Sequence, residues 1–317
     1  MPVSDWTPSA SIKTLRARAD MMACIRLFFT ERGYLEVETP SMAANGVTDV
    51  YLESIAVQCL GKPYFLQTSP EYHMKRLLAA GSGPIFQLAR AFRDDEAGRW
   101  HNPEFTMLEW YRPGMNHLDM LEEIDAFLKL ILNSKPLVIK TYRDLFEVTC
   151  GFNPFDVTLP RLGAVLQDFK LDNILELDET DVDQYLFLLM SHVVEPELAQ
   201  YDAPVAVIDF PVSQAALARV REGVAERFEI YYQGIELANG FHELTDAVAQ
   251  AERFEADNKK REVLGLKPCA IDARFLAAMT HGLPASTGVA LGVDRMFSLA
   301  SEHKNIQESL AFDVSRA

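Results

Sequence analysis

The sequence predicts an α+β fold: a mixed, mainly antiparallel sheet flanked by helices. Three observations carry that prediction. Short runs of alternating apolar residues are joined pairwise by turns, so most strands are partnered through hairpins. Helix-period stretches surround those pairs instead of following each strand, so the repeating β-α-β order of a parallel sheet is absent. No G-x-G-x-x-G follows an early strand, which disfavours a dinucleotide fold.

In chain order, a first helix fits 11–32, where Ile12, Leu15, Ala19, Met22, Ile25 and Phe29 recur at helical spacing and Gly33 supplies the stop. Leu35, Val37 and Thr39 then alternate with Glu36 and Glu38, a half-buried strand ended by Pro40. Residues 41–50 read as a loop. Strands at 54–60 and 63–68 meet at Gly61 and Lys62 like a hairpin. Ser69, Pro70 and Glu71 open a helix that Gly81 closes. Strands at 85–93 and 105–112 enclose the polar stretch D-D-E-A-G-R-W-H-N-P-E, longer than a turn needs and therefore a candidate functional loop. An amphipathic helix covers 117–133, and a helical insertion covers about 141–200. A strand at 205–210 and a hairpin pivoting near Gly234 follow. Helices at 245–264 and 272–281, a strand from Ser286 and a final helix complete what reads as one domain over 1–317.

Bulk properties narrow the function. No apolar run approaches 18 residues, so no membrane span is expected. The start, M-P-V-S-D-W-T-P-S, lacks the order of a signal peptide. Four cysteines without a C-x-x-C pair point to reduced thiols and a cytoplasmic protein. Seven histidines show no H-x-x-x-H spacing, so no structural zinc site is expected. Lys plus Arg total 30 against 46 acidic residues, a net charge of −16, which argues against a large nucleic-acid surface.

Three clusters could carry chemistry. In F-R-D-D-E-A-G-R-W-H-N-P-E-F-T-M-L-E-W-Y, alternation from Phe105 sets Met107, Glu109 and Tyr111 on one face, where a carboxylate and a phenol suit a buried amine; taken alone, the segment better fits a solvated hairpin tip with a salt bridge. In E-I-Y-Y-Q-G-I-E-L-A-N-G-F-H-E-L, Glu229, Glu236 and Glu243 interrupt an apolar hairpin. Their hard oxygens suit Mg²⁺, or they face water; Glu236 falls across the turn, so alternation leaves its face open. In S-T-G-V-A-L-G-V-D-R, Gly288 and Gly292 lead into Arg295, which fits either an oxyanion holder or a relaxed strand with a surface charge. A P-loop is excluded, since no G-x-x-x-x-G-K-[ST] occurs.

Together and in this order, with G-Y-L-E-V-E-T-P before them, the clusters resemble the three motifs of class II aminoacyl-tRNA synthetases over about residues 12–317. H-N-P-E-F-T-M, N-G-F-H-E-L-T-D and S-P-E are similar to the lysyl type. The resemblance implies a class II synthetase-like catalytic fold and a homodimer built on the segment ending at Pro40. It also implies ATP and Mg²⁺ as reactants of an adenylate-forming ligase. By the same resemblance, Arg93 would hold the α-phosphate and Arg295 the γ-phosphate. Phe105 would stack on adenine with Asn102 nearby, and Asp94, Asp95, His101, Leu237 and Gly292 would fall around the nucleotide. Glu229 and Glu236 would hold Mg²⁺, with Glu236 also beside ATP. Glu109, Tyr111 and Glu243 would grip a lysine-type ε-ammonium. Asn239 and Arg93 would contact the substrate carboxylate, and Glu71, next to Pro70, the nearby amine.

Departures from the lysyl pattern redirect the acceptor. The first helix begins by residue 12 and leaves no room here for an anticodon-reading OB-fold, so tRNA is not expected as a partner. Ala290 replaces a glycine, and Ser69 an alanine, at the backbone-amine end expected for the pocket; Ser69 reads either as a substrate-facing hydroxyl or as a helix cap. Asp95 is one methylene shorter than the usual glutamate, and Trp100 stands where an arginine is usual. This combination resembles the elongation factor P lysine ligases. It implies (R)-β-lysine (or lysine) as substrate and a lysine ε-amino group of elongation factor P as acceptor. The alternatives are a truncated lysyl-tRNA synthetase and a non-catalytic synthetase-like regulator.

Overall fold

The computed structural model describes residues 6–94, 98–176 and 179–317. In chain order the elements begin with α1 (Ile12–Glu31), β1 (Leu35–Glu36), β2 (Met42–Ala43), β3 (Ala56–Cys59), β4 (Lys62–Leu66), α2 (Glu71–Ala79), β5 (Ile85–Phe92), β6 (Glu104–Pro113) and α3 (His117–Leu132). The middle of the chain gives β7 (Val138–Thr141), α4 (Tyr142–Cys150), α5 (Leu159–Asp168), α6 (Val182–Leu189) and α7 (Glu195–Leu198), with a π-helical turn between the last two. Then come β8 (Val205–Phe210), β9 (Val220–Arg221), β10 (Val224–Tyr232), β11 (Ile235–His242), α8 (Ala247–Val263), α9 (Ala273–Gly282), β12 (Ser286–Gly292) and α10 (Val293–Ala300). They group into two compact units, one formed mainly by residues 1–115 and 244–317, the other mainly by 116–129 and 133–243.

In the first unit the main strands run β1-β5-β6-β12, with β2-β4-β3 as a small separate sheet. β5, β6 and β12 pair antiparallel, whereas β1 joins β5 in parallel. Helix α1 starts where the Ser11 hydroxyl accepts the Thr14 N–H at 3.1 Å. It buries Ile25, Phe28 and Phe29, and the Phe29 ring stacks on Phe86 of β5 at 4.8 Å and tilts against Trp110 of β6 at 5.2 Å. Truncating a ring as buried as Phe29 costs about 3–5 kcal/mol, so this contact fixes the helix on the sheet. On another side Arg261 of α8, 2% exposed, donates to the Asp49 carbonyl at 2.8 Å and to Glu53 at 3.0 Å, fastening the loop after β2.

In the second unit the strands run β11-β10-β8-β7, with β9 against β10. β7 and β8 are parallel, and parallel neighbours need a crossover connection. The helical stretch α4–α7 is that crossover, which local periodicity does not reveal because it carries no information about which strand is the partner. Its apolar faces close over the sheet: Tyr142, Phe146, Leu162 and Leu189 form a buried cluster with Val205, Val207 and Phe210. The pattern 35–39 shortens to the two residues of β1, an edge strand whose next amide, Val37 N–H, still reaches Phe86 O at 2.9 Å.

Candidate active site

The register of β5, β6 and β12 builds one wall in the first unit. Gln87, Glu109 and Ala290 lie directly opposite one another across the three strands, with Ile85, Tyr111 and Gly288 in the next row but one. Directly opposed residues share a face. Glu109 is therefore flanked by the Ala290 methyl group, while the Tyr111 hydroxyl donates to Glu109 Oε1 at 2.6 Å. Glu109 is 1% exposed. An acid held at that depth and oriented by a phenol suits a cationic ligand. The resemblance implies Ala290 at the backbone-amine end of the pocket; the register puts its methyl in the Glu109 row.

The long loop after β5 meets α10. Arg93 N–H bonds to Pro103 O at 2.9 Å, so the hairpin continues one residue past β5, and the Arg93 guanidinium lies 5.2 Å from the Phe105 ring centre. The two residues expected at the α-phosphate and the adenine are thus neighbours. Arg295 Nη2 lies 2.7 Å from His101 Nε2 and Nε donates to Trp100 O at 3.2 Å. Since guanidinium only donates, His101 Nε2 is the acceptor. Gly292 caps α10, and a Cβ there would stand 3.7 Å from Arg295 Cδ. Asp94 holds the loop to Glu53 through its backbone, and Asp95 lies outside the described residues.

Asn102 joins two segments. Its amide donates to Glu104 O at 2.6 Å and accepts the Val314 N–H at 3.0 Å, so it ties the loop exit to the C-terminal segment. Beside α2, Glu71 pairs with Lys75 at 2.6 Å, and Lys75 is 1% exposed. Pro70 occupies the cap position of α2 without a side-chain cap, so Ser69 does not cap this helix.

In the second unit a β-bulge settles which way the glutamates point. Glu229 faces Asn239 and Ile230 faces Ala238, but Tyr231 then faces Glu236, so buried Leu237 is an extra residue of β11. The extra residue returns Glu236 to the face that carries Glu229 and Asn239, and the same parity brings Glu243 to it at the end of β11. Glu229 Oε1 receives Arg227 Nη2 at 2.5 Å and Oε2 receives the Tyr231 hydroxyl at 2.6 Å. Burial pushes Tyr231 up, and the Glu229 charge pushes it further. For Arg227 burial works downward, but Glu229 overrides it and the net direction is up. Both groups stay proton donors, and they orient Glu229 while leaving further lone pairs on its oxygens. Hard carboxylates presented on one face fit Mg²⁺. Asn239 Oδ1 is buried without a hydrogen-bond partner, as a group awaiting a ligand would be.

Sequence reasoning passed over Asp294, Arg227, Tyr231 and Lys75. Asp294, 1% exposed, bonds to both Arg18 of α1 and the Thr106 N–H of β6. One acid therefore keys helix α1, β6 and the arginine-bearing α10 together. The only hint in the chain was its place beside Arg295.

Comparison with known proteins identifies the family. The family model described as tRNA synthetases class II (D, K and N) matches residues 3–316. Relatives named elongation factor P–(R)-β-lysine ligase include those of Edwardsiella ictaluri (strain 93-146), 47% identical over 99% of each chain, and Pseudoalteromonas translucida (strain TAC 125), 48% identical over 100% of each. That of Histophilus somni (strain 2336) is 49% identical over 98% of each. The chain belongs to the class II tRNA synthetases of the D, K and N type, and within them to the family of elongation factor P–(R)-β-lysine ligases.

Proposed function

We infer that this protein is an ATP-dependent, AMP-forming ligase that activates (R)-β-lysine as an acyl-adenylate and transfers it to a lysine ε-amino group of translation elongation factor P. The observation that carries the reading is likeness along the whole chain, at 46–49% identity, to ligases bearing that name. The family match spans both compact units, which supports treating them as one catalytic domain with 141–200 as its insertion.

The chemistry follows from charge. The β-lysine carboxylate attacks the α-phosphorus, the bond to the β-phosphate oxygen breaks, and pyrophosphate leaves. Arg93 is proposed to neutralise the α-phosphate and Arg295 the γ-phosphate; a preorganised contact to developing charge is worth about 3–4 kcal/mol. Phe105 offers a face for adenine beside Arg93. Glu109, with Tyr111 behind it, and Glu243 are proposed to hold the distal ammonium, and Asn239 the carboxylate. The Ala290 methyl, Ser69 and the Lys75-anchored Glu71 are proposed to select where the second amine sits. Glu229 and Glu236 would hold Mg²⁺, which when bound offsets phosphate charge. The acceptor amine then attacks the acyl carbon, AMP departs, and an amide forms. Positioning accounts for most of this second step.

Exposed Leu27 and Leu35, on α1 and β1, support a homodimer through the segment ending at Pro40. Among the described residues no helix is long and apolar enough to cross a membrane. The four free cysteines support a cytoplasmic setting. ATP–pyrophosphate exchange dependent on (R)-β-lysine tests the first half-reaction. Exchange faster with (R)-β-lysine than with α-lysine is expected, and exchange with α-lysine alone would overturn the substrate assignment.

A further inference from the structure

On the opposite face of the β10–β11 hairpin from Glu229, Glu236 and Asn239 lies a second group of ligating side chains. Arg227 faces Phe241, so Glu226 of β10 and His242 of β11 meet across the pair on the other side. His117, the first residue of α3, comes in over them. One ligating atom from each of His117, Glu226 and His242 lies within 4.8 Å of the other two. Glu226 is 6% and His242 7% exposed. His117 Nδ1 is closed off from solvent and has no hydrogen-bond partner. His242 Nδ1 already stands 2.8 Å from Glu226 Oε2, as an ion-pair contact. The arrangement therefore has the look of donors converging on a common point.

We propose that His117, Glu226 and His242 form a binding site for one zinc-type dication, separate from the adenylation chemistry. Two imidazoles and one carboxylate are the donor set of a three-ligand zinc site, and imidazole nitrogen selects such ions over Mg²⁺. Tetrahedral bonds of about 2.0–2.1 Å require ligand atoms about 3.3 Å apart, so side-chain rotations that draw the three together complete the site. Arg219 already holds the carboxylate, with Nε 2.7 Å from Oε2 and Nη2 3.0 Å from Oε1. Its side chain is 40% exposed, so it can release Oε2 to the ion while retaining Oε1. A ligand acid steadied by an outer partner is the usual arrangement around bound metals. The ion would join the first turn of α3 to the ends of β10 and β11, one residue before Glu243. The sequence hides the site, because its three members are spread over 126 positions and share no local spacing.

Cobalt spectroscopy tests the proposal on the full chain. The protein is stripped with chelator, saturated with Mg²⁺, and titrated with Co²⁺. One equivalent with the intense visible bands of a tetrahedral nitrogen and oxygen site is expected, displaced by one equivalent of Zn²⁺ and accompanied by a higher melting temperature. His117→Ala and Glu226→Gln should each lose the bands and weaken Co²⁺ binding by at least about tenfold, the cost already of outer-shell changes. His117 is only half-buried, and Glu226→Gln keeps its shape, so at least one folded variant is available. Absence of tetrahedral bands in the unmutated protein, or bands unchanged in either folded variant, would overturn the site.

Discussion

The Thr106 N–H donates to Asp294 Oδ2 at 2.7 Å, joining residues 188 positions apart. The other oxygen of the same acid takes Arg18. Asp294 immediately precedes Arg295, so the arginine proposed for the γ-phosphate is aimed by a junction of helix α1, β6 and α10.

Asp294→Asn removes the charge from a pair whose side chains are 14% and 2% exposed. Leaving Arg18 without its counter-charge should cost about 3 kcal/mol of stability. Urea denaturation should show a lower midpoint, and adenylate formation should fall further than stability alone explains. An unchanged midpoint would remove Asp294 from this role.

Ala290 stands opposite Glu109, so Ala290→Gly opens space beside the acid proposed to hold the distal ammonium. One methyl group discriminates by about 1–3 kcal/mol. The ratio of kcat/KM for (R)-β-lysine over α-lysine should therefore drop by roughly 10- to 100-fold in pyrophosphate exchange. An unaltered ratio would show that selectivity is set elsewhere, with Ser69 and Glu71 next to be varied.

Glu243→Gln keeps size and removes charge. A lost hydrogen bond to a charged group is worth about 1.5–3 kcal/mol, so KM for β-lysine should rise roughly 10- to 100-fold while KM for ATP stays near its original value. Equal losses for both substrates would move Glu243 into the nucleotide or metal role.

Asp313 accepts from the Ser315 and Ser9 hydroxyls at 2.6 and 2.7 Å, clasping the C-terminal segment to the chain start. The Ser315 hydroxyl, then Ser9, hold its carboxyl below the usual carboxylate range, outweighing an opposing burial effect. A depressed folded pKa stabilises above the unfolded value, about 3.9, and that stability is lost as pH falls through the folded one. The protein should therefore exceed Asp313→Asn in stability at neutral pH, with the gap closing below about pH 4. Melting curves across that range check the sign; a gap that widened in acid would refute it.

Much of this was legible in the sequence, for identifiable reasons. Alternation around Phe105 to Tyr111 located the wall carrying Glu109, and Gly292 with Arg295 marked the start of α10. Hairpins are legible because a turn names the partner strand. The parallel pairs β1–β5 and β7–β8 are not, since nothing local tells a strand which distant neighbour it meets. Glu236 stayed ambiguous because its face depends on the bulge at Leu237, a backbone irregularity that alternation counts as an ordinary residue. Asn102 also bonds to Glu104 and to Val314 from the far end of the chain, long-range links that its motif does not announce.

The most direct test of the central claim is the intact mass of elongation factor P after incubation with this protein and Mg-ATP, with (R)-β-lysine, α-lysine or neither. The account predicts a gain of one lysyl unit, greatest with (R)-β-lysine and absent without amino acid. No gain with either amino acid, while ATP is consumed in a lysine-dependent way, would contradict elongation factor P as the acceptor.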